Sequence, residues 1–225
     1  MAAFPLIAAG AEAEVHGRWC SSAHVPGASC EQYRRRLGYR APVGGEAKLR
    51  HSPTGVVPAS EGWFVLNARD ARWLHASGRS AVCEFEGDTP FPQVGVNLSV
   101  LAPGQAMSMY HWEADQEDFL VLAGEGLLII EGVERALKPW DFIHCPAGSS
   151  HVIVGAGQGP CIVLAVGARD RSTGENWGAY PVEPSAVRRR AGIEHETTDP
   201  QQAYAGLPRR KPVAYDPRWL PKGGT

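Results

Sequence analysis

Between residues 61 and 168, hydrophobic and polar side chains alternate in short runs. The stretches 80–87 (SAVCEFEG) and 94–104 (VGVNLSVLAPG) alternate between larger apolar residues and polar or small ones. The second stretch ends in a Pro-Gly turn. Successive side chains of a strand point to opposite faces of a sheet, so a period of two predicts β-strands. Short strands without long helices between them indicate an antiparallel sandwich or barrel.

Two longer stretches read as hairpins. Residues 126–146 contain two apolar runs separated by Glu131-Gly132, a residue pair typical of tight turns. Residues 151–169 contain two more, separated by the glycine-rich segment 155–159. Because this segment joins two strands and does not open a helix, we interpret it as a hairpin turn and not as a phosphate-binding loop.

The sequence divides into three parts. Residues 1–60 mix Gly, Pro, Ala and Ser with a basic burst and predict a poorly structured N-terminal extension. Residues 61–170 predict the β-barrel. Residues 171–225 predict short helices followed by an extended tail that runs over the barrel or reaches a neighbouring subunit. Uncovered sheet faces and edge strands favour a homodimer.

Two short helices are expected in the C-terminal part. In 183–192, Ser185 is the expected N-cap and Gly192 the expected stop. In 197–206, Asp199 is the expected N-cap and is followed by Pro200 at the first helical position. The tail after them is rich in Pro and basic residues, so we expect Trp219 and Leu220 to anchor it.

Composition narrows the classes of function. Hydrophobic residues make up 44% of the 225 positions, and the formal net charge of −2 gives no general attraction to nucleic acid or anionic membranes. The five cysteines form no C-x-x-C pair, and a reducing cytoplasm is the simplest setting. The first residues resemble a secretion signal, but they lack its basic start, so export is not expected.

Candidate chemistry gathers around residues 109–126, MYHWEADQEDFLVLAGEG. Strand periodicity gives His111 and Glu113 the same side, and Glu117 shares it if the register is kept. His151 opens a later strand after a sharp turn. Two histidines and two glutamates could converge on a divalent ion such as Fe, Mn, Zn or Ni. We predict that Tyr110 and Trp112 pack on the opposite face, and we leave open whether His144 reaches the site.

The spacing in 104–155 resembles the two signature motifs of the cupin superfamily. The first motif fits with Glu117 and Gly124 six residues apart, and the second fits with Pro146, Gly148 and His151. The resemblance implies an antiparallel cupin β-barrel of the jelly-roll type, with metal ligands at the histidine and glutamate positions.

Four positions depart from the motifs. Gly104 lies one residue too far from His111, Trp140 and Gly155 replace a glycine and an asparagine, and Glu113 replaces the second histidine. Residue by residue, the resemblance implies His111, Glu117 and His151 as ligands. It leaves Glu113 as either a fourth ligand or a general base.

The hypothesis is therefore a divalent-metal-dependent enzyme, oxygenase-like or isomerase-like, that acts on a small molecule. A module that binds a small ligand without catalysis, with or without a metal, is the alternative. No nucleic acid or membrane partner is expected, because the chain offers neither a helix pair typical of DNA binding nor a stretch of about 18–20 apolar residues.

Overall fold

The structure is a computed structural model that describes residues 45–170 and 176–221. The chain divides into two units, Met1–Gly45 and Glu46–Thr225, and the described strands and helices belong to the second. The resemblance of the first residues to a secretion signal falls outside the described residues. Within the described part of the chain, no helix is long and apolar enough to cross a membrane.

Strands dominate, because alternating sequence patterns let each strand bury one face. The strands are β1 Leu49–Ser52, β2 Gly55–Pro58, β3 Arg72–His75, β4 Ala81–Glu84, β5 Val94–Leu101, β6 Trp112–Glu113, β7 Glu117–Ala123, β8 Glu125–Ile130, β9 Val133–Leu137, β10 Phe142–Cys145, β11 His151–Ala156, β12 Cys161–Ala168, β13 Gly178–Ala179 and β14 Lys211–Val213. Two helices, α1 Pro184–Arg188 and α2 Pro200–Ala203, follow β13.

Two antiparallel sheets form the barrel. The large sheet has the order β10-β7-β12-β5-β4-β3-β14, and the small sheet has the order β11-β8-β9. Their facing sides meet in one core, to which the large sheet contributes residues such as Phe119, Val121 and Val163, and the small sheet contributes Leu128 and Ile153. Burial of these apolar side chains on both sheets is the main force that holds the two together. The predicted all-β jelly-roll fold is confirmed.

One of the two predicted hairpins is present. Glu131 and Gly132 join β8 to β9 with φ angles of 47° and 74°, the left-handed pair that a two-residue hairpin turn requires. The glycine-rich segment joins β11 to β12, but β11 pairs with β8 in the small sheet and β12 pairs with β5 and β7 in the large sheet, so the segment is a connection between the two sheets and the predicted hairpin turn is wrong. The Glu131-Gly132 turn sets the register of β8 and β9, and β8 in turn pairs with β11, which begins at His151.

The outer face of the large sheet is covered by the C-terminal tail. β14 pairs with β3, and Tyr215, Trp219 and Leu220 pack on the cluster around Trp73. The Trp73 and Trp219 rings lie 4.8 Å apart, centroid to centroid. Trp219 and Leu220 thus anchor the tail as predicted, on the barrel of their own chain.

Two expectations need correction. Residues 49–58 fall within the predicted poorly structured extension, yet they form the hairpin of β1 and β2, in which Val56 and Val57 are buried. Neither strand alternates, because β1 has Leu49 as its one apolar residue and β2 buries consecutive residues. The N-cap of α1 is Glu183, whose carboxylate accepts a hydrogen bond from the Ser185 amide, and Ser185 itself lies within the helix. Pro184 occupies the first helical position, so the residue before it becomes the cap.

α1 also ends earlier than expected. Its C-cap is Arg189, and Arg190 has a φ of 56°, so the chain turns before Gly192. The second helix matches the prediction, because the Asp199 carboxylate accepts from the Gln201 amide and Pro200 opens α2.

Candidate metal site

His111 and His151 lie opposite each other in an isolated antiparallel bridge. The His111 amide donates to the His151 carbonyl at 3.2 Å, and the His151 amide donates to the His111 carbonyl at 2.8 Å. This reciprocal pairing puts both imidazoles on one side, with ring centroids 5.2 Å apart. Backbone pairing, and not side-chain contact alone, therefore sets the spacing of the two rings.

A sharp turn brings His151 to this place. The Ser149 amide donates to the Pro146 carbonyl at 3.0 Å, and Gly148 has a φ of 85°, which a residue with a Cβ adopts only with strain. The Gly148 amide donates to the Glu113 carbonyl at 2.7 Å, which ties the turn to β6. The second motif thus works through its backbone geometry.

Glu117 is the first residue of β7 and points to the same interior as the two histidines. Its Oε2 lies 3.3 Å from His151 Nε2 and 3.7 Å from His111 Nε2. One nitrogen or oxygen atom from each of His111, Glu117 and His151 lies within 4.8 Å of the other two, a spacing that could hold a metal ion. The structure thus brings together three of the four predicted ligands.

Glu113 lies beside this group without belonging to it. Its Oε1 is 3.5 Å from His111 Nε2, and its side chain is partly exposed. β6 holds it through pairing with β13. Glu113 lines the same cavity as the other three residues, which agrees with the shared parity predicted for it and His111.

Each histidine is oriented by a backbone carbonyl. His111 Nδ1 lies 2.8 Å from the Met109 carbonyl oxygen, and His151 Nδ1 lies 2.9 Å from the Ser149 carbonyl oxygen. A carbonyl oxygen only accepts, so Nδ1 of each ring carries the proton and donates it. In the neutral form of either ring, the lone pair is then on Nε2, facing Glu117. Metal-binding histidines are commonly fixed by such a hydrogen bond from the other ring nitrogen.

The Glu117 carboxylate lacks a satisfied partner. Among the described residues, Glu117 Oε2 is the buried side-chain oxygen or nitrogen that has no hydrogen-bond partner. Burial raises the pKa of Glu117, but its contact with His151 and the charges of His111 and His151 outweigh burial and leave the pKa below its usual value. A buried carboxylate that stays ionised needs a positive charge beside it.

His151 can supply that charge as a proton. Burial lowers the pKa of His151, but contacts with the Cys145 thiol and the Glu117 carboxylate outweigh burial and raise the pKa to about 10. Without a metal, the proton on His151 therefore neutralises the site. The donor set of two imidazoles and one carboxylate also fits a divalent ion, which would take the place of that proton.

The site opens into a cavity of about 280 Å³. The C-terminal part supplies three of its lining residues, Tyr180, Tyr204 and Arg210, which sequence reasoning did not select. The Tyr180 ring stacks on His111 with centroids 5.7 Å apart. Burial, reinforced by the nearby charges of Tyr204 and Glu113, raises the pKa of Tyr180. No motif surrounds these residues, so spacing along the chain could not have found them.

The remaining candidates lie elsewhere. His144 points to the exterior, where its Nδ1 is 2.7 Å from Asp118 Oδ1, so it does not join the site. Tyr110 packs with Ile129 and Val152 on the outer side of the small sheet, as predicted. Trp112 is not among the residues that line the cavity.

Two departures from the motifs have structural explanations. Trp140 has a φ of 75°, so it adopts the left-handed conformation that favours the glycine expected there. At Gly155, a Cβ would lie 2.4 Å from the Ala102 carbonyl oxygen, so the asparagine expected there could not fit. Neither departure alters the side chains around Glu117.

Residues 97–167 match the family model described as "Cupin domain". They span β5 to β12 and include His111, Glu117 and His151. Residues 97–167 form a cupin domain. No curated protein is significantly similar to this chain.

Solved structures of cupin-type proteins are similar over part of the chain. A sugar phosphate isomerase from a cupin superfamily of Silicibacter pomeroyi is 29% identical, with 46% of this chain and 63% of that one covered and a TM-score of 0.37. A protein of Acidithiobacillus ferrooxidans, provisionally described as a sugar phosphate isomerase, is 28% identical over 35% of this chain and 52% of its own, with a TM-score of 0.34.

A predicted oxalate decarboxylase of Thermotoga maritima is 19% identical, with 46% of this chain and 97% of that one covered and a TM-score of 0.42. The two isomerase structures are thus covered over less than two thirds of their own length.

Proposed function

We propose that this cupin binds a divalent metal ion through His111, Glu117 and His151 and transforms a small molecule in the adjoining cavity. The unpartnered Glu117 Oε2 carries this proposal, because it faces the Nε2 atoms of two histidines whose Nδ1 atoms are already engaged. When bound, the ion would supply Lewis acidity or, if it is iron, a centre for oxygen chemistry.

Glu113 is the residue proposed to move a proton. Its carboxylate lies on the cavity wall, 3.5 Å from His111 Nε2 and outside the group of three ligand atoms. A carboxylate there can accept a proton from a substrate atom without leaving the metal short of a ligand. Tyr180, stacked on His111, lines the same cavity.

Glu113→Gln tests this division of roles. The variant keeps the shape of the side chain and removes its charge, so it should retain its metal and lose about 10²–10⁴-fold in turnover. Turnover would be measured on a substrate found by screening oxygen uptake and isomerisation of small molecules. Asp118→Asn is the matched control, because it removes the adjacent negative charge on the exterior of β7.

Loss of metal in Glu113→Gln would instead make Glu113 a fourth ligand. Metal in the wild-type protein with no turnover of any screened compound, together with tight binding of a small ligand, would favour the non-catalytic binding module.

We further propose that the chain acts as a homodimer in a reducing cytoplasm. β10 is an edge strand whose Phe142 is exposed next to the exposed Trp140, and such an edge favours pairing with a second copy. Cys83, Cys145 and Cys161 are buried free thiols. Light scattering should give a mass of twice the 24.2 kDa of one chain, and a mass of one chain would reject the dimer.

A further inference from the structure

Arg210 enters the cavity from the C-terminal tail. It immediately precedes β14, whose pairing with β3 fixes the backbone there. Its Nε donates to the Ser80 carbonyl at 3.0 Å, and its Nη2 donates to Ser80 Oγ at 2.6 Å and the Met107 carbonyl at 3.3 Å. All three acceptors are neutral, so these bonds hold the guanidinium in place without cancelling its charge.

The lack of a counter-charge sets Arg210 apart from other arginines. Among the described residues, no carboxylate lies within 4.0 Å of its guanidinium, whereas five other arginines have such a partner: Arg50, Arg72, Arg169, Arg189 and Arg218. Burial and the nearby charge of Arg79 together lower the pKa of Arg210 to about 10, yet the group stays protonated near pH 7. A partly buried cation without an anionic partner costs free energy of folding unless a bound anion balances its charge.

The surrounding wall offers further donors and more positive charge. The Tyr204 hydroxyl accepts a hydrogen bond from the Met109 amide at 3.1 Å and also contacts the Tyr180 side chain. The Arg79 guanidinium lies 5.0 Å from the centre of the Tyr204 ring. Ser99 and Asn97 line the same cavity, whose volume of about 280 Å³ admits only a small molecule.

We propose that Arg210 binds the anionic group, a carboxylate or a phosphate, of a small substrate whose reacting end faces His111, Glu117 and His151. This inference names the substrate class for the proposed function and rests on it. The two N–H groups of Nη1, which none of the three bonds above uses, remain to donate as a pair to either oxyanion. Ser80 positions the guanidinium, and Arg210 itself makes the contact.

The test is a calorimetric titration of the full-length chain with malonate and, separately, with inorganic phosphate. Each titration is done on the protein as purified and again after removal of metal with a chelator. The wild-type protein should bind at least one of the two anions in both forms. The anion that binds more tightly decides between a carboxylate and a phosphate substrate.

Arg210→Gln should weaken that binding roughly tenfold or more, as expected for loss of a charged hydrogen-bond pair. Arg210→Lys keeps the charge but not the paired geometry, so its affinity should fall between the two. Arg209→Gln is the matched control, since it removes the same charge from the neighbouring exposed position and should bind as the wild type does.

Equal anion affinity in Arg210→Gln and the wild type, or no binding of either anion to the wild type, would overturn the proposal. If Arg210→Gln fails to fold, the arginine Nε–H resonances of the wild-type protein replace it. One resonance that shifts on anion addition and is missing from Arg210→Lys supports the proposal, and no shifting resonance rejects it. The titration of the chelator-treated protein keeps this outcome separate from metal binding, since Arg210 should bind the anion whether or not a metal ion is bound.

Discussion

β7 begins with two acidic residues that point to opposite faces of the strand, and each lies close to histidine. Glu117 points inward to His111 and His151, and Asp118 points outward to His144. The outer pair forms an ordinary 2.7 Å hydrogen bond, and the His144 side chain is 50% exposed. The inner group is buried, its histidines are anchored through Nδ1, and its carboxylate oxygen is unpartnered.

The difference shows that residue type alone does not make a metal site. Water screens the outer pair, so its two groups need only each other and contribute little to stability. Burial removes this screening by water from the inner group. The Glu117 carboxylate therefore needs a cation within the protein. Each of the following predictions separates the inner group from the outer pair.

The largest expected effect is a dependence of metal affinity on pH. The raised pKa of His151, about 10, means that its imidazole is protonated at neutral pH when no metal is bound. The metal must displace this proton, so affinity should rise with pH by up to tenfold per unit and level off near pH 10. Titration calorimetry in several buffers would measure it. Asp118→Asn should leave the slope unchanged, and an affinity that does not vary from pH 7 to 9 would refute the linkage.

A second prediction concerns the fourth position around the inner group. Glu113→His places an imidazole where the cupin motif has one, next to His111. Because imidazole is a good ligand for this class of ion, metal affinity should rise about tenfold or more. Competition with a chelator of known affinity would measure the gain. A histidine introduced at Asp118, on the outer face, should produce none, and an equal gain there would show that the inner geometry is irrelevant.

The smallest expected effect belongs to the outer pair. His144→Gln should change the free energy of unfolding by about 0.5 kcal/mol or less, because the pair is exposed and screened. Chemical denaturation would measure it, together with metal content, which should equal that of the wild type. A loss of metal from His144→Gln would erase the distinction between the two faces of β7.

The barrel was predictable because its signals are local. Alternation along β4 and β5 and the turn at Glu131-Gly132 are each contained in a few residues. The ligand candidates were found in the same way, since motif spacing fixes which residues follow each turn. The role of Glu113 remained open, because parity gives a direction and not a distance.

The opposite wall of the cavity was not predictable from the sequence. Arg210 meets Ser80 across 130 residues, and Tyr204 meets Met109 across 95, so no local pattern records either contact. The β1–β2 hairpin was missed for a related reason: its strands do not alternate, and β2 is held by a distant segment, where the Val56 amide donates to the Asp70 carbonyl. Non-local packing decides such elements, and it appears only once the chain is folded.

The metal content of the purified protein tests the central claim most directly. Elemental analysis after metal-replete expression should find about one divalent ion per chain in the wild type and in Asp118→Asn. Glu117→Gln, which keeps the size of the side chain and removes its charge, should lose most of that ion. Circular dichroism would establish that all three proteins are folded. An ion-free wild type, or equal metal in Glu117→Gln and Asp118→Asn, would contradict the account.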